Sequence, residues 1–197
     1  SELKERGIEN ILALRGDIPT NTDFPLPDQY HHAIELIREI KEAGDFCIGG
    51  ACYPEGHPES KNIVADIENL KRKADAGASQ LVTQLFLDND YFYSFQERVA
   101  LAGINLPIEA GIMPVTNKKQ IERMVKLCGV HLPKKFMRVM DKYENNPEAL
   151  RDAGIAYAID QIVDLTAHGA DGIHLYTMNN PYVARKIYEA VHSMLKV

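Results

Sequence analysis

The stretch that decides the fold is Cys-Ile-Gly-Gly-Ala-Cys-Tyr-Pro-Glu-Gly-His-Pro-Glu-Ser-Lys, residues 47–61, which continues as Asn-Ile-Val-Ala-Asp-Ile-Glu-Asn-Leu-Lys-Arg-Lys, residues 62–73. It begins as a run of small and apolar residues of strand length, stops at Pro54 and Gly56, and resumes at Pro58 with helical periodicity. The pattern predicts a strand, a turn and a helix that begins at Pro58, because proline is well suited to the first turn of a helix.

Polar side chains gather at the point where this predicted strand ends. Tyr53, Glu55 and His57 lie between the strand and the following helix. Proteins built from parallel strands and helices place their ligands at the carboxyl ends of the strands, beside helix N-termini. The stretch therefore predicts part of a ligand site.

The rest of the chain repeats this alternation of strand and helix. Strands are predicted at residues 8–14, 45–53, 80–87, 107–113 and 171–177, and helices at residues 28–43, 58–76, 89–102, 116–129, 131–143, 147–168 and 181–195. Thr116 is the predicted N-cap of the fourth helix, and Asn180-Pro181 opens the last one. Strands that alternate with helices of this length indicate parallel βαβ units in one domain that covers residues 1–197.

Composition excludes several classes of partner. The 197 residues are 45% hydrophobic, enough for one compact core, and the formal charge of −6 gives no general attraction for nucleic acid or an anionic membrane. The three cysteines contain no CxxC pair, and no His/Asp/Glu set has ligand spacing, so no metal site is predicted. The charged start and the absence of an apolar run of about 18 residues favour a cytoplasmic protein.

Two architectures fit the pattern, a doubly wound open sheet and a (β/α)8 TIM barrel. The open sheet usually carries a glycine-rich phosphate loop after its first strand, and the chain has neither GxGxxG nor GxxxxGKS. Instead nearly every predicted strand ends in polar residues, as in a barrel that builds one site from many strand ends. Five strands cannot close an eight-stranded barrel of about 250 residues. We therefore expect an N-terminally incomplete barrel that lacks roughly three βα units.

Six motifs in chain order carry a resemblance to a known family. They are Leu14-Arg-Gly-Asp17, Tyr53-Pro-Glu-Gly-His-Pro-Glu59, Asp66-x-x-Asn69-x-x-Arg72-Lys73, Thr83-Gln84-Leu-Phe86, Gly111-Ile-Met-Pro114 and His174-Leu-Tyr-Thr-Met-Asn179. With these motifs the chain closely resembles methylenetetrahydrofolate reductase over essentially its whole length. That family comprises flavin-dependent barrel enzymes that reduce 5,10-methylenetetrahydrofolate to 5-methyltetrahydrofolate.

The resemblance implies an FAD site and assigns residues to it. The cofactor-binding residues that it implies are Arg15, Gly16, Asp17, Tyr30, His31, Tyr53, His57, Pro58, Glu59, Ser60, Asp66, Asn69, Arg72 and Lys73. Asp17 is expected near both the flavin ring and the folate, as the catalytic residue. Asp66, Asn69, Arg72 and Lys73 are expected at the adenosine and phosphate end, where cations are physically reasonable.

The resemblance also implies a folate substrate and a reduced nicotinamide as electron donor. Asp17, Gln84 and Gln120 are the substrate-binding residues it suggests. The folate must be activated by a general acid, which in the family is a glutamate at the end of the first barrel strand. Neither Glu55 nor Glu59 occupies that position, so the segment alone is expected to be inactive. An incomplete barrel should also associate, either with a second copy or with an upstream barrel segment, because it exposes apolar sheet edges.

Spacing alone leaves other readings of these residues open. Ile63, Ile67 and Leu70 follow a helical stripe, and Asp66 and Lys73 fall on its shoulder, where a solvated helix face is the commoner explanation. A barrel lyase or aldolase would need a Schiff-base lysine or a metal cluster at the strand ends, and neither is found. A non-catalytic partial barrel or flavin-binding module is a further alternative.

The chain departs from the family pattern at Asn180. Many family members carry an arginine there and use it on the substrate, whereas Asn180-Pro181 has the form of an ordinary N-cap and first helical residue. We expect Asn180 to contribute little to folate binding, with Arg185 compensating in part.

A first prediction concerns Asp17 in an active reductase that contains this chain. Asp17→Asn should leave FAD bound and raise its reduction potential, because a neutral amide no longer opposes negative charge on the reduced ring. Rapid-reaction kinetics should show faster reduction by the nicotinamide and slower transfer to the folate. Equal slowing of both half-reactions, or loss of FAD, would show that Asp17 is structural.

Overall fold

The computed structural model describes residues 2–16 and 30–196, apart from the side chains of residues 118, 127 and 196. The elements in chain order are α1 (Glu2–Glu5), β1 (Asn10–Ala13), α2 (Ala33–Ala43), β2 (Cys47–Cys52), α3 (Ile63–Asp75), β3 (Gln80–Thr83), α4 (Asn89–Leu101), β4 (Ile108–Ile112), α5 (Lys118–Cys128), α6 (Lys134–Tyr143), α7 (Pro147–Ala167), β5 (Gly172–Leu175), α8 (Pro181–Val191) and a 3₁₀ turn (Met194–Lys196).

The strands form one parallel sheet in the order β1-β2-β3-β4-β5. Asn10 pairs with Cys47, Gly49 with Gln80 and Glu109 with Gly172, so each strand lies beside the next strand in the chain. An open sheet of the doubly wound kind reverses its strand order, whereas sequential parallel order is that of a (β/α)8 barrel. The predicted partial barrel with five parallel strands is confirmed.

Side chains alternate between the two faces of this sheet, as strand geometry requires. On the face covered by helices, Ala13 and Ile48 are fully buried against Ile37 of α2. On the opposite, concave face, Leu12 and Leu14 are 46% and 50% exposed. The helices therefore cover the convex face and leave the concave face accessible.

The main core lies between the middle strands and the helices that follow them. Leu81, Ala110 and Ile112 pack with Phe92 and Phe95 of α4, and this cluster continues to α7 and α8. A second cluster lies at the carboxyl end of the sheet, where Leu85, Met113 and Val115 meet α5, α6 and the start of α7. The two clusters fix the ends of β3 and β4.

The start of α3 differs from the prediction. The helix begins at Ile63 and not at Pro58, because the Asn62 side chain accepts from the Ala65 N–H and caps the helix there. Residues 57–61 instead form turns, held by Asp66, whose carboxylate accepts from the His57 N–H at 3.2 Å and the Ser60 hydroxyl at 2.7 Å. Local hydrogen bonds of this kind compete successfully with the helix.

Other boundaries are corrected for similar reasons. Asn117, and not Thr116, caps α5, because its side chain accepts from the Gln120 N–H at 3.0 Å. The second helix begins at Ala33 and not near residue 28, since the Glu35 carboxylate reaches back to the N–H groups of His31 and His32. The terminal helix ends at Val191, before the 3₁₀ turn.

Gly154 sets the distance between α7 and the end of β4. A Cβ atom at this position would lie 1.7 Å from the carbonyl oxygen of Val115. Helix propensity alone would favour alanine over glycine by about 1 kcal/mol in a helix interior. The glycine is therefore required by the close approach of the helix to the strand end.

We predict that Gly154→Ala destabilises the chain by about 3 kcal/mol or prevents folding, because the added methyl group collides with backbone that cannot move independently. Denaturant unfolding measures the effect. Ala156→Gly, at an exposed position of the same helix, is the control and should cost about 1 kcal/mol from propensity alone. A stabilising Gly154→Ala would contradict this packing.

Candidate functional site

The concave face of the sheet opens into a cavity of about 580 Å³ at the carboxyl ends of β1, β2, β3 and β5. This volume is typical of small-molecule and cofactor sites, which span roughly 300–1,000 Å³. The cavity is lined by Leu12, Ala13, Leu14, Arg15, Gly16, His32, Ala33, Ile34, Ala51, Tyr53, His57, Glu59, Ser60, Asp66, Asn69, Arg72, Lys73, Val82, Gln84, His174 and Tyr176.

The loop between β2 and α3 supplies one wall of the cavity. The Asp66 carboxylate ties this loop to the first turn of α3 through the His57 N–H and the Ser60 hydroxyl. The ring of His57 lies edge-on to that of Tyr53, with centroids 4.4 Å apart, and its Nδ1 accepts from the Glu59 N–H at 3.1 Å. Burial lowers the pKa of His57. A neutral imidazole is consistent with the accepting role of Nδ1.

An ion pair joins this loop to the end of β1. Both terminal nitrogens of the Arg15 guanidinium donate to the Glu59 carboxylate, at 2.8 and 2.9 Å. The Arg15 side chain is 23% exposed and that of Glu59 is 52% exposed, so the stabilisation is modest. The hydrogen bond from Arg15 lowers the pKa of Glu59. The pair keeps two neighbouring loops in register above the cavity.

Helix α3 contributes two cations to the cavity wall. The Lys73 ammonium donates to the Ala51 carbonyl oxygen at 2.8 Å, and burial lowers its pKa. The Arg72 guanidinium donates to the side-chain oxygen of Asn69. An ammonium has three donors, so Lys73 retains hydrogen-bonding capacity for a ligand while it is bound to Ala51. A negatively charged ligand group can therefore be held at this wall.

Strands β3 and β5 supply the remaining polar groups. The Gln84 side-chain oxygen accepts from the Leu85 N–H at 2.9 Å, so the amino end of the amide is the group available to a ligand. Tyr176 donates to the Thr83 carbonyl oxygen at 2.9 Å, and burial raises the pKa of its hydroxyl to about 12. His174 lies edge-on to Tyr176, with its Nδ1 3.5 Å from a Glu109 oxygen.

Most of the residues expected at the FAD site line this one cavity. They are Arg15, Gly16, Tyr53, His57, Glu59, Ser60, Asp66, Asn69, Arg72 and Lys73, and Gln84 from the expected folate site joins them. The predicted cofactor and substrate residues did not include three other polar lining residues, His32, His174 and Tyr176. Tyr176 is one of the polar residues with which the predicted strands end, and the position of His174 on the same strand was the signal that could have identified it too.

Five other predicted site residues are not placed at the cavity by the structure. Asp17 lies outside the described residues. Tyr30 donates to the Glu39 carboxylate, and the N–H of His31 donates to Glu35, ahead of α2. Pro58 lies in the turn between His57 and Glu59, and Gln120 accepts from the Thr116 N–H and hydroxyl at the start of α5. None of these four residues is among those that line the cavity.

Within residues 2–16 and 30–196, no three His, Cys, Asp or Glu side chains are grouped so that they could hold a metal ion. In the same residues, no helix combines the length and the apolar character needed to cross a membrane.

The fold and the cavity together define an α/β barrel-type protein with a cavity at the carboxyl ends of its strands. The model of one family, methylenetetrahydrofolate reductase, matches residues 1–192. The chain therefore belongs to the methylenetetrahydrofolate reductase family.

Individual relatives agree with this assignment. The chain is 38% identical over 190 residues to the 5,10-methylenetetrahydrofolate reductase of Pectobacterium carotovorum, covering 96% of the chain and 61% of that protein. It is 37% identical to the Escherichia coli enzyme of the same name, with 95% and 61% covered. It is also 37% identical to methylenetetrahydrofolate reductase (NADH) 1 of Arabidopsis thaliana, with 90% and 32% covered. The chain thus spans about 61% of the length of its bacterial relatives.

A solved structure supports the fold. An uncharacterised protein from Clostridium thermocellum, described as binding two copies of 5-methyl-5,6,7,8-tetrahydrofolic acid, superimposes with a TM-score of 0.60 at 16% identity. The match covers 84% of this chain and 60% of that protein.

Asn180 has the local role that the sequence indicated. Its side chain accepts from the Val183 N–H at 3.3 Å and Pro181 follows it as the first helical residue, so it is the N-cap of α8. It is not among the residues that line the cavity.

We predict that Asn180→Ala lowers the free energy of unfolding by about 1 kcal/mol, as loss of an N-cap does. Asn180→Asp should retain most of the stability, because aspartate is an equally good cap. Folate affinity, measured in an active reductase that contains this chain, should be nearly unchanged by either substitution. A large rise in the folate KM at unchanged stability would show that Asn180 binds the substrate.

Proposed function

We propose that residues 1–197 form the flavin-binding and part of the folate-binding domain of an FAD-dependent methylenetetrahydrofolate reductase. The reaction is the reduction of 5,10-methylenetetrahydrofolate to 5-methyltetrahydrofolate, with electrons from a reduced nicotinamide. Membership of the family supports the reaction, and the name of the Arabidopsis relative supports a nicotinamide donor. Because the chain spans part of its relatives, the activity is proposed for the protein that contains this chain.

The observation that carries the FAD assignment is the convergence of one set of side chains on one cavity. The residues that the family resemblance relates to FAD come from the end of β1, the β2–α3 loop and helix α3, and they line the same space. Separate surface patches would have argued for solvated faces. The convergence instead supports a single extended ligand.

The chemistry of the cavity fits the parts of FAD. Arg72 and Lys73 supply positive charge for a pyrophosphate, and Asn69 supplies amide groups beside them. Tyr53 and His57 offer an aromatic edge to a flat ring. Asp66 is occupied by the His57 N–H and the Ser60 hydroxyl, so we propose that it acts on FAD mainly by holding this loop.

The proposed folate site adjoins the same cavity. Bound FAD supplies the hydride chemistry that no side chain offers. Gln84 presents its amino end to the folate, because its oxygen is held by the Leu85 N–H. Asp17 and Gln120 stay proposed substrate residues, as do Tyr30, His31 and Pro58 for FAD.

Titration of the purified chain with FAD, followed by flavin fluorescence, tests the proposal. Lys73→Met and Arg72→Met should each weaken FAD binding by about 10- to 100-fold, which corresponds to loss of a charge-assisted hydrogen bond of about 1.5–3 kcal/mol. Lys71→Met is the matched control, because Lys71 pairs with Asp75 on the same helix and does not line the cavity. It should leave the affinity within twofold.

Equal effects of the three substitutions would mean that only net charge matters, and would contradict the assignment. Thermal unfolding of each variant separates loss of binding from loss of folding. Turnover with methylenetetrahydrofolate and NADH or NADPH is then assayed in the longer protein that contains this chain, because the segment alone is expected to be inactive. FAD binding without turnover in that longer protein would identify the chain as part of a flavin-binding module.

A further inference from the structure

The carboxyl group of Glu55 connects two loops at the carboxyl end of the sheet. Its Oε2 accepts from the His131 N–H at 2.8 Å, so the turn after β2 is tied to the segment between α5 and α6. Its Oε1 is buried and has no hydrogen-bond partner within the described part of the chain. A buried carboxyl oxygen without a partner is costly, so this atom requires an explanation.

Glu55 also lines a small second cavity. Its volume is about 10 Å³, which is the space of roughly one water molecule. The cavity is lined by Tyr53, Pro54, Glu55, Gly56, Gln84, Leu85, Cys128 and Val130. Tyr53 and Gln84 also line the large cavity. Gln84 therefore lies between Glu55 and the proposed ligand site.

The surroundings of Glu55 favour its neutral form. Burial raises the pKa of the carboxyl group and Asp88, from the loop before α4, raises it further. The His131 N–H and the charge of that histidine oppose the shift. Tyr53 and Cys128 are the other titratable residues that line the small cavity. The carboxyl group therefore keeps its proton to a higher pH than an exposed glutamate does.

We propose that protonated Glu55, through one water molecule in the small cavity, positions the side-chain amide of Gln84. It is a positioning residue and does not touch the ligand. The part of the proposal that concerns folate rests on the proposed function above, whereas the link between Glu55 and Gln84 does not.

In this arrangement each hydrogen bond between Glu55, the water and Gln84 has one donor and one acceptor. Oε2 of Glu55 accepts from His131, so the acid proton lies on Oε1 and is donated to the water. The oxygen of Gln84 accepts from Leu85, so both amide protons are available for donation. One is donated to the water and the other faces the large cavity. Ionisation of Glu55 would place a negative charge on a carboxyl group whose Oε1 is buried, which is less favourable than the neutral acid.

The link is tested by nuclear magnetic resonance of the Gln84 side-chain amide across a pH titration. In the parent chain the amide signals should move with a single transition at a pH above the ordinary glutamate value of 4.5. Glu55→Gln, whose amide mimics the protonated acid, should abolish the transition. Glu97→Gln, at an exposed position on α4, is the matched control and should preserve it.

Two results would overturn the proposal. One is a Gln84 amide that does not respond while the Glu55 carboxyl titrates, which would leave Glu55 as a loop tie only. The other is a transition that survives in Glu55→Gln. The titration of the parent chain decides the question even if a variant fails to fold.

Stability provides an independent test with a defined sign. The pKa of Glu55 is higher in the folded state than in the unfolded state. At pH values between the ordinary glutamate pKa and the folded pKa, the folded state therefore keeps a proton on Glu55 that the unfolded state has lost. Glu55 therefore makes the free energy of unfolding fall as pH rises through this window. Glu55→Gln should remove that fall, so its advantage over the parent should increase with pH and then level off. An unchanged pH profile would contradict a protonated Glu55.

The folate arm uses 5-methyltetrahydrofolate as the probe, with FAD present. At a pH below the transition of the Gln84 amide, Glu55→Ala should weaken binding of the probe about fivefold and Glu55→Gln should restore it, whereas Glu55→Ala should add nothing in a Gln84→Ala background. An effect of Glu55→Ala that persists without Gln84 would contradict positioning. If neither the parent chain nor any variant binds 5-methyltetrahydrofolate, the proposed function fails. The resonance and stability tests still decide whether Glu55 positions Gln84.

Discussion

Parallel pairing of neighbouring strands is the constraint on which the site depends. β1 pairs with β2 from Asn10 and Cys47 onward, and β2 pairs with β3 up to Cys52 and Thr83, all in one direction. The carboxyl ends of the strands consequently meet at one edge, where the loops that follow them approach one another. Arg15 reaches Glu59 over 44 residues of sequence because of this shared edge. A ligand in the cavity would contact several of these loops at once, and the loops are held in place by the sheet.

The parts of the fold that could be predicted are those written in local patterns. The alternation of apolar runs with amphipathic ones predicted the order of all five strands and their parallel pairing, because the period and length of a run distinguish strands from helices. Several errors fell at helix starts, where capping residues compete, and others at the ends of elements: β3 ends at Thr83 and not at residue 87, and α8 ends at Val191. Asn62 and not Pro58 starts α3, because Asp66 accepts from the His57 N–H and holds the turn before Asn62. Asn117 and not Thr116 caps α5, because Thr116 is hydrogen-bonded to Gln120. Which side chain wins depends on contacts that no spacing rule specifies.

In the site, too, the residues within local motifs could be predicted and their distant partners could not. Motif matches identified the loops at the ends of β1 and β2, which line the cavity. The second partner of each contact was not predictable, since Tyr176 reaches the Thr83 carbonyl and His131 reaches Glu55 across 93 and 76 residues of sequence. The environment of Glu55 could not be predicted from the sequence. In sequence it is one polar residue of a turn, and only its burial beneath the α5–α6 segment gives its carboxyl unusual chemistry.

Sequential strand order also affects how the chain acquires its structure. Each strand joins the one made just before it, so every pairing closes a loop of a few tens of residues, and the longest of the four joins Glu109 to Gly172. Closing entropy grows slowly with loop length, so even the pairing that spans α5, α6 and α7 carries a small additional penalty. During synthesis from the N-terminal end, each new βα unit meets an existing strand edge. The nascent chain can therefore assemble stepwise on the ribosome, and β5, just before Tyr176, is the last of these five strands to join.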